Sequence, residues 1–214
     1  LAYEYCAEYS KSKLIMLWGA NVDLTCPAQA HDIREAVRAG AKLIVVDPRA
    51  IPMAKRADLW LKIKPGTDTA LGLGMINVII NEELYDKDFV KNWTVGFDSL
   101  KAHTQRFTPA WASQITDLSE TDIIAAARLY AKTPPAALYA RTGSAAQQIN
   151  SSQNARAMAC LIGLCGNVDV PGGNNPYLRT FNAKYFYHSY STRMSLRASP
   201  NKENKFFGFG KYPM

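Results

Sequence analysis

The sequence has no long apolar run. Nothing in its 214 residues approaches the ~18 consecutive apolar positions that a membrane-spanning helix needs, so no segment is read as crossing a bilayer. It has four cysteines but no C-x-x-C pair. Cys160 and Cys165 lie on an apolar helical stretch, where burial as small hydrophobes is expected, and Cys6 and Cys26 carry no spacing signal. Neither a disulfide framework nor a zinc site is supported. The three histidines, His31, His103 and His188, are scattered, and no metal bound by side chains is expected. No G-x-G-x-x-G follows the first predicted strand, where Gly19-Ala-Asn-Val-Asp-Leu24 stands instead. The close backbone approach to a pyrophosphate that the later glycines permit is therefore not provided, which argues against an ordinary NAD site. There is no Walker A sequence and no Gly-x-Ser-x-Gly elbow, and no Cys or Ser has a plausible catalytic histidine partner nearby in sequence.

What is present is an ordinary globular composition, 48% hydrophobic and 20% charged, in a chain long enough to bury a sizeable core. The net charge of +7 is concentrated at one end. Residues 177–214 carry seven basic residues and a single acid, Glu203, while the rest is nearly neutral. This tail also holds Tyr185, Phe186, Tyr187 and Tyr190, a composition that can bind nucleic acid. Packing against the rest of its own chain is the commoner fate of such a segment, and no nucleic-acid partner is assigned. The chain begins at Leu1, and Leu1 to Tyr9 reads as the end of a helix, so a piece of a longer polypeptide is expected.

Five apolar residues, Leu14 to Trp18, are too few for a helix and suit a strand buried on both faces. Pro27 to Arg38 reads as a helix, opened by proline and stopped by Gly40. Lys42 to Asp47 is a second strand, completing a βαβ unit, and Asp58 to Ile63 alternates as a third. A long helix follows Lys64-Pro-Gly-Thr-Asp68, with Leu71, Met75, Val78 and Ile79 at helical spacing and Thr67 or Asp68 as cap. Shorter helices are predicted over 86–93, 97–106, 109–115 and 120–132, the last entered through Ser119-Glu-Thr-Asp122, a weak capping box. Ala136 to Ala140 is a fourth strand, Arg141 to Ser144 a loop, and Ala155 to Leu164 a helix. The predicted class is α/β: a Rossmann-like three-layer domain with a mostly parallel sheet over residues 1–176, and an irregular basic tail over 177–214.

In a parallel sheet the loops that follow the strands share one edge, where ligands bind. Their polar content is Asn21, Asp47, Arg49, Thr67, Asp68, Arg141 and Gln147, a set suited to a sugar, a phosphate and a hydrogen-bonding base held between the first two strand ends. Gly19 allows a sharp turn or a close approach. Asp47 can accept from ribose hydroxyls, Arg49 can present a planar fork to phosphate, and Asp68 can accept from a guanine edge. Read more plainly, the two acids begin turns or cap helices, and the residues alone leave both readings open.

Six segments occur here in the order found in the molybdopterin oxidoreductases, the dimethyl sulfoxide reductase family. They are Trp18-Gly-Ala-Asn21, Val45-Val-Asp-Pro-Arg49, Pro65-Gly-Thr-Asp-Thr-Ala-Leu71, Gly74-Met-Ile-Asn-Val-Ile-Ile80, Leu84-Tyr-Asp-Lys-Asp-Phe-Val90 and Gly166-Asn-Val-Asp-Val-Pro-Gly-Gly173. The resemblance covers roughly residues 10–176 and implies the domain that binds one guanine dinucleotide arm of a molybdenum or tungsten bis-(molybdopterin guanine dinucleotide) cofactor. It implies Trp18, Gly19 and Asn21 near the pterin and pyrophosphate, and Asp47, Pro48 and Arg49 near the nucleoside and phosphate. Gly66, Thr67 and Asp68 would lie near the guanine, and Gly143 and Gln147 near the pterins. Two departures stand out: Val22 where the family often has proline, and Gln148 where it often has histidine, so no catalytic role is carried to Gln148. The resemblance also implies a 4Fe-4S cluster and a metal ligand upstream, other domains of the same polypeptide, an iron–sulfur electron-transfer subunit and a small-molecule substrate, in the prokaryotic cytoplasm or periplasm. On that reading the segment is part of a redox enzyme and inactive alone. A non-redox hydratase of the same family and a stand-alone nucleotide-binding scaffold are the alternatives.

Overall fold

The computed structural model describes residues 7–145 and 147–175. Leu14–Trp18 forms strand β1, and all five of its side chains are buried. Lys42–Val46 (β2), Leu59–Leu61 (β3) and Ala136–Ala140 (β4) complete a four-stranded sheet in the order β3-β2-β1-β4. Every pairing is parallel, with Trp18 in register with Val46 on one side and Ala140 on the other. Because side chains alternate along a strand, β1 serves two cores. Leu14, Met16 and Trp18 join Ile44 and Val46 under one layer of helices, while Ile15 and Leu17 join Leu43 and Val45 under the other. This is the expected three-layer α/β arrangement.

The helices, in chain order, are α1 (Val22–Thr25), α2 (Pro27–Arg38), α3 (Asp68–Asn81), α4 (Lys87–Trp93), α5 (Phe97–Thr104), α6 (Pro109–Thr116), α7 (Glu120–Lys132), α8 (Thr142–Ala145) and α9 (Ser151–Leu164). Helix α2 covers the face lined by Ile15 and Leu17, and α3, α6, α7 and α9 cover the opposite face. Helix α3 is buried nearly all round, because α5, α6, α7 and α9 pack about it. A methyl group on Gly72 would lie 2.8 Å from the Cβ of Ala157 on α9, and one on Gly74 would lie 2.8 Å from the Cβ of Ala112 on α6. Two glycines inside a helix cost about 1 kcal/mol each in propensity; here they let neighbouring helices come close.

Several boundaries differ from the sequence reading. Strand β3 is shorter than Asp58 to Ile63, and α9 starts four residues earlier than Ala155. Thr142–Ala145 is a turn of helix where a loop is predicted, and Val22–Thr25 adds one inside the first exit loop. Local polarity led the sequence reading to end elements where tertiary partners extend them: Asn154, in the polar start of α9, is held from three sides. Ser119 does cap α7, its Oγ accepting from the Asp122 N–H at 3.0 Å. Leu1 to Cys6 and the whole tail, 177–214, lie outside the described residues. None of the described helices is long and apolar enough to cross a membrane.

The outer edge of β4 is closed by two asparagine side chains. Asn167 Oδ1 accepts from the Ala136 N–H at 3.0 Å. The Asn174 amide receives the Leu138 N–H at 2.9 Å and donates to the Leu138 carbonyl at 2.7 Å. The side chain thus stands in for a fifth strand. Asn174→Ala leaves a buried N–H and a buried C=O unpaired, at about 1–3 kcal/mol for each group. Amide exchange at Leu138 in the complete polypeptide is expected to accelerate by at least an order of magnitude, and unchanged protection there would disprove this role.

Candidate functional site

The four parallel strands bring their carboxyl ends to one edge, and two neighbouring strands, β1 and the edge strand β4, send the chain to opposite faces. Strand β1 leads into α1 and α2 on one face, while β4 leads into α8 and α9 on the other. This divergence of neighbouring connections is a topological switch point, the place where open α/β sheets bind ligands. The sequence reading centred the ligand on the ends of β1 and β2; the topology makes the exit loop of β4 the second neighbour of the β1 loop.

Gly19 turns the chain out of β1 with φ of +58°, and its N–H donates to the Val46 carbonyl at 2.8 Å. Ser144 of α8 lies directly over it, donating its Oγ–H to the Trp18 carbonyl at 3.0 Å. A Cβ on Gly19 would lie 2.7 Å from the Ser144 Cβ, whereas one on Gly143 would make only ordinary contact, 3.7 Å, with the Gly19 carbonyl. The exit loops of β1 and β4 are thus in contact. Asn21 follows. Its backbone carbonyl accepts from Leu24 and Thr25, while its side-chain Oδ1 is buried with no hydrogen-bond partner. A buried polar atom left unpaired is costly, and because amide orientation is interchangeable, this group can offer either a donor or an acceptor to a ligand.

Asp68 is only 4% exposed. The Trp18 indole Nε1–H donates to its Oδ1 at 2.7 Å. Burial pushes its carboxyl above the usual range, while hydrogen bonds from Trp18 and Gln148 pull it back part of the way. Neither residue expected to cap α3 does so with its side chain. Thr67 stands at the N-cap position, but its hydroxyl donates to the Lys64 carbonyl at 2.7 Å, and the Asp68 carboxylate is turned to Trp18. Gly66 and Thr67 present the turn before α3 at the surface. Asp47, 2% exposed, holds its own loop: Oδ1 accepts from the Arg49 N–H at 2.9 Å and from Arg49 Nε at 3.4 Å. This is the turn-forming role that aspartate takes in Asx turns, and Trp60 fixes it further by donating to the Asp47 carbonyl at 2.9 Å. Pro48 is half-buried, and the Arg49 side chain, 68% exposed, projects outward. Gln147 is exposed, with its N–H on the Thr142 carbonyl.

Ser144, Asn154, Thr69 and Trp60 are site-building residues that sequence reasoning missed. The available signal was a polar residue, Asn154, followed by an apolar helical run; the contacts it makes are nonlocal and have no signature in spacing.

A parallel three-layer α/β unit whose connections diverge at a switch point is of the Rossmann-like, doubly wound class. The chain belongs to the molybdopterin oxidoreductase family, whose family model matches residues 3–207. It is 40% identical over 162 residues to acetylene hydratase of Syntrophotalea acetylenica, covering 75% of this chain and 22% of that protein. It is 36% identical over 170 residues to formate dehydrogenase H of Escherichia coli, covering 79% of this chain and 24% of the relative. Its fold superposes on the solved acetylene hydratase from Pelobacter acetylenicus with a TM-score of 0.74 and 39% identity, over 77% of this chain and 23% of that one. The chain thus spans about a quarter of the length of the relatives it matches.

Proposed function

We propose that this chain holds one guanine dinucleotide arm of a molybdenum or tungsten bis-(molybdopterin guanine dinucleotide) cofactor within a larger redox enzyme. The observation that carries the reading is the buried, unpartnered Oδ1 of the half-buried Asn21 beside the Gly19 turn, at the switch point of a domain of this family. A side-chain amide there can donate to pyrophosphate oxygens, and the absent Cβ at Gly19 lets Ser144 of the β4 exit loop pack against the turn. Trp18 braces the site from beneath. Asp47, Pro48 and Arg49 would serve the ribose and phosphate, with Arg49 free to bring its guanidinium to an anion. Gly66, Thr67 and Asp68 would read the guanine: each carboxylate oxygen can accept twice, so the indole bond leaves Asp68 with acceptor capacity. Gly143 and Gln147 would face the pterin end. These residues bind and orient, and none is assigned a catalytic step. When bound, the metal centre supplies exchange of an oxygen atom, or of hydride and electrons, with a small-molecule substrate.

A 4Fe-4S cluster, the protein ligand to the metal and an iron–sulfur partner subunit would come from elsewhere in the parent assembly, and the segment alone would be inactive. Similarity to acetylene hydratase favours one second reading, a non-redox hydratase in which the same site holds the same cofactor and the metal activates water. The test is acid release from the complete polypeptide, with analysis of metal and nucleotide. Guanine nucleotide together with molybdenum or tungsten is expected; a preparation active without either would overturn the proposal. Electron transfer to an artificial acceptor separates the redox enzyme from the hydratase.

A further inference from the structure

We infer that Asn154 is a positioning residue of this site, fixing the β4 exit loop so that both ends of the bound dinucleotide are held by one rigid frame. This rests on the cofactor reading above for its purpose, but its geometry stands independently. Asn154 lies in the first turn of α9 and is 1% exposed. Its Nδ2 donates to the Ser144 carbonyl at 2.7 Å and to Gln148 Oε1 at 3.0 Å. Its Oδ1 accepts from the Thr69 hydroxyl, in the first turn of α3.

Each partner continues toward the site. Ser144 donates to the carbonyl of Trp18 and sits against Gly19. Gln148 donates to the Gly143 carbonyl at 2.9 Å. Asp68, next to Thr69, takes the Trp18 indole. The circuit therefore closes: β1, α3, α8 and α9 meet through one amide whose donors and acceptor are all used. Asparagine alone satisfies this pattern. Aspartate would set a carboxylate against two acceptor oxygens, leucine would orphan all three partners, and a fully satisfied buried network fixes a single arrangement. The same circuit gives Gln148, where the family often carries histidine, a role through hydrogen bonds to the Gly143 carbonyl and to Asn154.

The experiment compares Asn154→Asp, Thr69→Val and Ile162→Val in the complete polypeptide. Ile162, buried on the same helix, serves as a packing change that leaves the circuit intact. Two quantities are read: amide exchange over residues 141–149, and the rate at which guanine nucleotide is lost on dilution. Asn154→Asp is expected to speed exchange in that loop and nucleotide loss by on the order of tenfold each, since two buried donors vanish. Thr69→Val, which removes one link, should give a smaller change of the same kind, and Ile162→Val should leave both rates within about twofold. If Ile162→Val loosens the loop as much as Asn154→Asp, or if Asn154→Asp leaves the loop unchanged, the positioning role is overturned. Absence of guanine nucleotide in the parent protein would overturn the cofactor reading instead, while the exchange result would still decide the role of Asn154.

Discussion

Gly19→Ala is expected to weaken the sheet edge by about 2–5 kcal/mol and to abolish tight cofactor retention. Two costs combine. At φ of +58° a residue with a Cβ takes the left-handed conformation, which costs roughly 1–2 kcal/mol. The new methyl then lies 2.7 Å from the Ser144 Cβ and 2.8 Å from its Oγ, an overpacking that costs about 1–3 kcal/mol more. Ser144 cannot simply swing away, because its hydroxyl bonds the Trp18 and Arg141 carbonyls and its own carbonyl is held by Asn154. Native-state hydrogen exchange at the ends of β1 and β4 reads the loss. The double variant Gly19→Ala/Ser144→Gly separates the two terms: removing the clash should recover the packing share and leave the conformational share. Full protection in the single variant would show that the turn is not locked by α8.

Asp68→Asn is expected to separate stability from binding. The carboxylate is nearly buried, and burial raises its pKa in the folded protein above the ordinary carboxylate value. An acid whose folded-state pKa is raised binds its proton more readily folded than unfolded, so it costs stability as pH rises through the folded pKa, and that cost is fully present at neutral pH. Asparagine removes the buried charge and keeps an oxygen for the Trp18 indole. The variant should therefore be more stable than the parent at neutral pH, with the difference shrinking as pH falls toward 3.8 and below. Nucleotide retention should move the other way. A charge-assisted hydrogen bond, worth about 1.5–3 kcal/mol, becomes neutral, and one acceptor becomes a donor facing guanine donors. Thermal unfolding across pH, together with guanine nucleotide content, checks both arms. Unchanged retention removes Asp68 from the guanine site; a stability gain that persists undiminished at acid pH removes the buried charge as its cause.

Both predictions concern residues whose importance was visible in the sequence and whose surroundings were not. Gly19 and Asn21 stand out after a short apolar run, and Asp47 and Asp68 follow strand ends. The structure then divides the acids. Asp47 folds its own loop through Arg49, the plain role open to it from the start. Asp68 does not cap α3 but is drawn under Trp18 by a contact fifty residues away in sequence. Likewise Thr67, an apt cap by residue type, turns its hydroxyl back to Lys64.

The sequence by itself determined the elements whose causes are local: an apolar five-residue strand, a proline-opened helix from Pro27 to Arg38, a serine cap before α7, and the motif order that marks the family. These depend on side-chain periodicity and backbone preference within a few residues, and they remain legible however the chain is packed. Tertiary structure alone decided the rest. It placed β4 beside β1 and so created the switch point, set Ser144 over Gly19, and tied Thr69, Gln148 and Ser144 to one buried asparagine. It also closed the β4 edge with the side chain of Asn174. Such arrangements follow from satisfying buried polar groups across distant segments, and a residue's neighbours in sequence carry no record of the partners it will find in space.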